Sequence, residues 1–223
     1  MPASTTRLLI DMYDAMLARL GPSGWWPAKS PFEVAVGAIL TQNTNWSNVE
    51  KAIANLRLHD LLKPEQLRSA RPEVVEECVR PSGFFRQKAK KLRNFLDFLD
   101  REQALDLKSL ALLDTVELRV RLLAVNGIGP ETADSILLYA LDRPVFVVDA
   151  YTARICNRHG LVPEDVDYDA LQDLFLSHLP ERVEHYNEYH ALLVRVGKQW
   201  CRKREPRCDG CPLRPFLPHS HLS

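Results

Sequence analysis

The sequence predicts an all-α protein, and three observations predict it. Apolar residues recur at helical spacing along most of the 223 residues. The breaks between those stretches carry helix start and stop signals. A tight glycine turn, Asn126 to Gly129, joins two of the helical patterns directly. Taking the elements in order, Leu9, Met12, Tyr13, Met16, Leu17 and Leu20 mark an amphipathic first helix, which the Gly- and Pro-containing stretch from Gly21 to Ser30 ends. Ser30-Pro31-Phe32-Glu33 reads as a capping box with Pro at the first helical position. The helix it opens is apolar on nearly every face from Val34 to Leu40, so it belongs at the centre of the core. Phe85, Ala89, Leu92, Leu96 and Leu99 form a further stripe; Tyr189, Leu193, Val196 and Trp200 form a late one. Cys78 and Cys156 lie on apolar helical patterns and read as buried thiols.

Around the glycine turn, Leu118, Leu122 and Val125 precede and Ala133, Ile136, Leu137 and Ala140 follow at helical spacing. Gly127 and Gly129 permit positive φ and leave the backbone uncovered, and Pro130 sits where a helix begins. The N–H groups of the turn, helped by the helix dipole, form an anion site that needs no lysine. A plain helical hairpin is the competing reading. Downstream, the apolar extended segment Val145–Val148 ends at Asp149, a preferred N-cap for the helix that follows. A capping carboxylate accepts backbone N–H bonds and stays ionised near neutral pH. Those properties also suit it to face a developing sugar cation.

A chain of this length buries a sizeable core as one compact unit or two small lobes. Lysine plus arginine equals aspartate plus glutamate at 29 each, so no global field draws it to a polyanion and any basic footprint is local. Arg86, Lys88, Lys90, Lys91 and Arg93 supply one cluster; Arg202, Lys203, Arg204 and Arg207 supply another, between two cysteines. No run approaches the roughly 20 apolar residues of a membrane span, and no signal-peptide pattern opens the chain. The expectation is a cytoplasmic monomer, associated with the nucleoid in a bacterium.

Gly127-Ile128-Gly129-Pro130-Glu131-Thr132-Ala133 followed by Val148-Asp149 resembles the helix-hairpin-helix DNA glycosylase superfamily, in its endonuclease III-like branch. Three further segments carry the resemblance from about Pro31 to Cys211. Ile39 to Thr44 resembles the segment whose glutamine, here Gln42, fills the hole left by an extruded base. Gly83 to Ala89 resembles the loop with a hydrophobic wedge, here Phe84. Cys201-x6-Cys208-x2-Cys211 resembles the start of the family's iron–sulfur loop. The resemblance implies a two-lobed fold with the active-site cleft between the lobes and Asp149 on its wall. One helical lobe would span residues 31–141, with the hairpin motif at about 115–141; residues 1–30 and 142–223 would build the other. It further implies double-stranded DNA with a damaged base as partner, the hairpin glycines and Arg202, Lys203, Arg204 and Arg207 as phosphate contacts, and Asp149 as the catalytic residue.

Two departures shape the expected chemistry. Bifunctional endonuclease III enzymes carry a lysine at the Glu131 position, which attacks the sugar; glutamate cannot. This implies a monofunctional glycosylase that leaves an abasic site. The family's fourth cysteine would fall at Leu217, which leaves three thiolates with His219 and His221 as substitutes. A 4Fe–4S cluster with one non-cysteine ligand is the favoured occupant, zinc the alternative, and an empty vestige the third option. Trp25 and Trp26, with Trp46 and Phe32 near the Gln42 segment, look most like the 3-methyladenine-type members. Indole faces bind cations by about 0.5–2 kcal/mol, which suits a positively charged alkylated base. Lys198 takes the place of a family arginine before the cysteine loop, at the pocket or a phosphate. The rival readings are a bifunctional glycosylase/AP lyase on oxidised pyrimidines, with Lys198 as the amine, and a non-catalytic DNA-binding member.

Overall fold

The structure is a computed structural model that describes residues 4–103 and 105–218. His219 and His221 lie outside the described residues. All regular structure among the described residues is helical, and the chain divides into two compact units, 1–25 with 144–223 and 26–143.

The first unit joins the two ends of the chain. Helix α1 (Thr5–Leu20) starts at Ser4, whose side chain accepts the Arg7 N–H, and buries Leu9, Met12 and Met16. Its partner is α11 (Val183–Gln199), which buries Tyr189, Leu193 and Val196 as its stripe requires. Tyr189 donates to the carbonyl of Leu9 at 2.8 Å, and Arg195 donates to the carbonyls of Leu20 and Gly21. Those two carbonyls end α1 without intrahelical partners, so the guanidinium serves as its C-terminal cap. Between them in sequence come α9 (Ala150–Arg158) and α10 (Tyr168–Leu176), the latter capped by Asp167. The segment Val145–Val148 is buried and not helical; Phe146 stacks on Phe175 at 4.1 Å between centroids. Its backbone is satisfied in part by buried Gln172, which donates to the Phe146 carbonyl.

The second unit is built on α2 (Pro31–Thr41), buried from Phe32 to Leu40. Ser30 accepts the Glu33 N–H, but the other half of the expected capping box is diverted. The Glu33 carboxylate is buried and paired with Arg57 of α3 (Trp46–Leu58). Two short Pro-initiated helices follow, α4 (Pro64–Ser69) and α5 (Pro72–Val79). The long α6 (Phe85–Gln103) buries Leu92, Phe95, Leu96, Phe98 and Leu99. Helix α7 (Thr115–Leu123), capped by Asp114, and α8 (Pro130–Ser135) flank the glycine turn, and α8 runs into a π-helical turn, Ile136–Ala140. Every apolar position that the spacing marks on either side of that turn is buried. The pair is locked by Arg119 of α7, which grips fully buried Asp134 of α8 through two hydrogen bonds, at 2.7 and 3.1 Å.

Candidate active site

Asp149 caps α9 as expected, and the geometry of the cap shows which oxygen is left for chemistry. Oδ1 accepts three hydrogen bonds: from the backbone N–H groups of Tyr151 (2.9 Å) and Thr152 (2.8 Å) and from the Thr152 hydroxyl (3.0 Å). Oδ2 faces His190 Nε2 of α11 at 3.8 Å. Burial pushes the carboxyl up, but the His190 ring and the Thr152 donors outweigh it and hold the pKa below the usual carboxylate value. With the folded value depressed, the site contributes stability above the ordinary carboxylate range and loses it as pH falls through the lowered pKa. The acid is therefore ionised, oriented and nearly dry throughout the neutral range. His190 is absent from the residues that the sequence motifs single out. It lies one turn from Tyr186 and Leu193 on the buried face of α11, and a polar residue on that face is the signal that could have found it.

Helices α9 and α11 approach closely at a glycine. A Cβ on Gly197 would stand 2.7 Å from the Cβ and Cγ of Tyr151, so only glycine lets the first turn of α9 lie there. Lys198, the next residue, is exposed. Cys156 is buried, its thiol pushed up to about 12 by burial, with the Asp149 charge and Cys201 adding to it. Cys78 is buried likewise.

Within the second unit, Gln42 is fully engaged. Its amide donates to the Gly127 carbonyl (3.0 Å) and the Thr132 hydroxyl (2.9 Å), and its Oε1 accepts from the Lys91 ammonium. Gly127 has φ 97°, and a Cβ there would overlap the Lys91 stem. Gly129 has φ −97°, so it does not use the left-handed region it permits, and its contribution is an uncovered backbone at the N-cap of α8. Phe84 stands 64% exposed at φ 45°, directly after Gly83 at φ 71°. A bulky residue in that region costs about 1–3 kcal/mol of backbone strain. Asn43, after Gln42, is held there too, at φ 53°.

The basic run after Phe84, which reads in the sequence as a charged, solvated helix face, is only partly solvated. Lys88 is 2% exposed, Lys91 is committed to Gln42, and Arg93 donates to the carbonyls of Arg68 and Ala70. Of that run, Arg86 and Lys90 stand exposed. Neutral carbonyls elsewhere in the fold needed these donors, and burial satisfied them.

The tryptophans part company. Trp25 falls in the first unit and Trp26 in the second. Trp26 meets Trp46 edge-on (5.1 Å, 88°) and Tyr139 at 5.2 Å, and its ring lies against Gly37, where a Cβ would be 3.0 Å away. Tyr139 is hidden in the sequence by the apolar run it sits in.

In the cysteine loop, Arg202, Lys203, Arg204 and Arg207 are all exposed. Their backbone is clamped from α9. Arg158 donates to the carbonyls of Arg202 (2.8 Å) and Lys203 (3.3 Å) and to the Cys201 sulfur (3.3 Å), and Arg154 donates to the Cys201 carbonyl (2.7 Å). The donor set of a four-thiolate cluster is not complete: Leu217 occupies the fourth position, and among the described residues no three His, Cys, Asp or Glu side chains gather as ligands of one ion.

An all-helical chain with a glycine hairpin of this sequence and a helix-capping aspartate downstream defines a class, the base-excision glycosylases, and the comparisons place the chain within it. The profile of the HhH-GPD superfamily of base excision DNA repair proteins matches residues 36–181, and the chain belongs to that family. A Methanocaldococcus jannaschii protein named as a candidate DNA repair glycosylase is 46% identical over 94% of this chain and 95% of its own length. The endonuclease III of Thermotoga maritima is 30% identical over 82% and 81%. Among solved structures, the 3-methyladenine DNA glycosylase MagIII of H. pylori, bound to 1,N6-ethenoadenine, superposes with a TM-score of 0.76 at 30% identity, covering 88% of this chain and 98% of that one. The protein is a DNA repair N-glycosylase of this family. No described helix is long and apolar enough to cross a membrane.

Proposed function

We propose that this glycosylase is monofunctional and releases an alkylated base from double-stranded DNA by hydrolysis. The observation that carries the reading is the state of Asp149: one oxygen saturated by three donors, the other left facing His190, the whole group ionised and buried. As the glycosidic bond breaks, positive charge develops on the sugar. A fixed carboxylate stabilises it without reorganising, and the same oxygen orients the attacking water. A purine alkylated at N3 or N7 already carries positive charge, so it leaves readily and asks little acid catalysis of the protein. Trp26, Trp46 and Tyr139 form a cluster of electron-rich rings, the side-chain chemistry that attracts such a cation, and MagIII, 30% identical, is named for 3-methyladenine. Glu131 supplies no amine, so the sugar is not attacked by the enzyme at that position.

In this reading Phe84 is the wedge and Gln42 fills the vacated space in the duplex, leaving its berth on the hairpin to do so. The reading is tested by offering DNA with single alkylated, oxidised or deaminated bases and measuring free base. Release of alkylated purines well ahead of the other classes is expected; preferential release of oxidised pyrimidines would replace this reading with the lyase one.

DNA binding is assigned to the hairpin at Gly127 and Gly129 and to the exposed arginines and lysine of the cysteine loop. With formal charge balanced at zero, binding depends on these local groups. Replacing Arg202, Lys203 and Arg204 with Ala should weaken binding to all sequences alike and flatten the salt dependence by roughly 0.9 for each phosphate no longer neutralised. Wild-type affinity and slope in a titration of the triple variant would take the loop off the DNA. Because Arg154 and Arg158 clamp the loop backbone, the loop fold is expected to persist on chelation, with thermal stability unchanged; a large drop in stability on chelation would show that a metal shapes it.

A further inference from the structure

Lys88 is among the largest fully buried side chains of the protein, and its ammonium has no carboxylate partner among its hydrogen bonds. It donates instead to two backbone carbonyls, Leu40 at 2.9 Å and Ser82 at 2.5 Å. Leu40 lies in the last turn of α2, two residues before Gln42. Ser82 lies two residues before Phe84, on the loop that Gly83 and Phe84 bend through positive φ. One buried cation therefore ties together the segments that carry the plug and the wedge. The same face of α6 continues the work at helical spacing. Lys91, three residues on, holds Gln42 Oε1 and packs over Gly127, and Asn94, three further, donates to the Asn126 carbonyl at 2.9 Å.

We propose that Lys88 is a positioning residue for base extrusion: by holding the Leu40 and Ser82 carbonyls on one ammonium, it sets the fixed spacing between Gln42 and Phe84 at which they enter the duplex together. The proposal rests on the reading of Gln42 as plug and Phe84 as wedge. Desolvation, with Lys91 adding to it, lowers the Lys88 pKa to about 8, which leaves the group charged at neutral pH. A desolvated cation with only carbonyl partners is an expensive way to fill a core. A methionine of similar length would fill the same space without the desolvation cost. What methionine cannot do is hold two carbonyls from segments far apart in sequence in one frame.

The test compares Lys88→Met, Phe84→Ala, Gln42→Ala and the wild type on two DNA probes, each with one 7-methylguanine: once paired in a duplex and once in a single-nucleotide bulge, where little extrusion work remains. Expected for Lys88→Met is a loss of roughly tenfold or more in single-turnover release from the paired site, with release from the bulge close to wild type. In the Phe84→Ala/Gln42→Ala double variant, adding Lys88→Met should cost nothing further, because the parts it spaces are gone. An equal loss on both probes, or a full additional loss in the double variant, overturns the proposal and leaves Lys88 a fold residue. If Phe84→Ala and Gln42→Ala show no defect specific to the paired site, the plug-and-wedge reading itself fails and the proposal falls with it. If Lys88→Met does not fold, Lys88→Arg carries the same comparison. Arginine keeps the charge and donors for two carbonyls, but its longer planar fork holds them at a different spacing, so a loss confined to the paired site is expected, and none overturns the proposal.

Discussion

Asp149→Asn is expected to abolish base release while DNA binding and fold stay close to wild type. The asparagine carbonyl oxygen can take the place of Oδ1 and accept the same bonds from Tyr151, Thr152 N–H and the Thr152 hydroxyl, and Asn is as good an N-cap as Asp. What disappears is the charge. One well-aimed group facing a transition-state charge contributes about 3–4 kcal/mol, or roughly 10²–10³ in rate. Single-turnover release, DNA affinity and circular dichroism on the same preparation separate the effects. A folded variant with full activity would remove Asp149 from the mechanism.

Gly197→Ala carries the second large effect, and it acts on the same carboxylate from behind. The new methyl would meet the Cβ and Cγ of Tyr151 at 2.7 Å. A Cβ is fixed to its backbone and cannot swing away, so α9 and α11 must separate. Overpacking of this kind costs about 1–3 kcal/mol, which for a chain of this size lowers Tm by roughly 2–4 °C per kcal/mol. The Tyr151 N–H is one of the donors on Asp149 Oδ1, so base release should fall by more than the reduced stability explains. Thermal melts and rates measured well below Tm check both halves. An unchanged Tm with an unchanged rate would mean that the helix contact has slack the geometry does not show.

The core faces were legible because burial follows local periodicity. The apolar body of α2 from Val34 to Leu40, the stripe of α6 and both sides of the hairpin needed only the spacing of their own residues. Asp149 was legible as a cap for the same reason: the donors it serves are two and three residues away. What the sequence concealed is long-range. Lys88 reads as one more surface charge in a basic run, since the Leu40 carbonyl that buries it lies 48 residues earlier. The amide of Gln42 finds its partners 85 and 90 residues downstream. Nothing local announces that Tyr139, within an apolar run, pairs with Trp26. Gly129 is the opposite case, a residue that permits the left-handed region without using it.

In the proposed mechanism the sugar is attacked by water oriented at Asp149 and never by an amine of the protein. Borohydride trapping tests it most directly, because it captures only a Schiff base between enzyme and sugar. Incubated with DNA carrying an alkylated purine, the wild type should release the base, leave a strand that breaks only after alkali, and yield no covalent adduct. Efficient trapping, with strand breakage keeping pace with base release, would contradict the account and turn attention to Lys198, the exposed lysine two residues beyond Val196 at the end of α11.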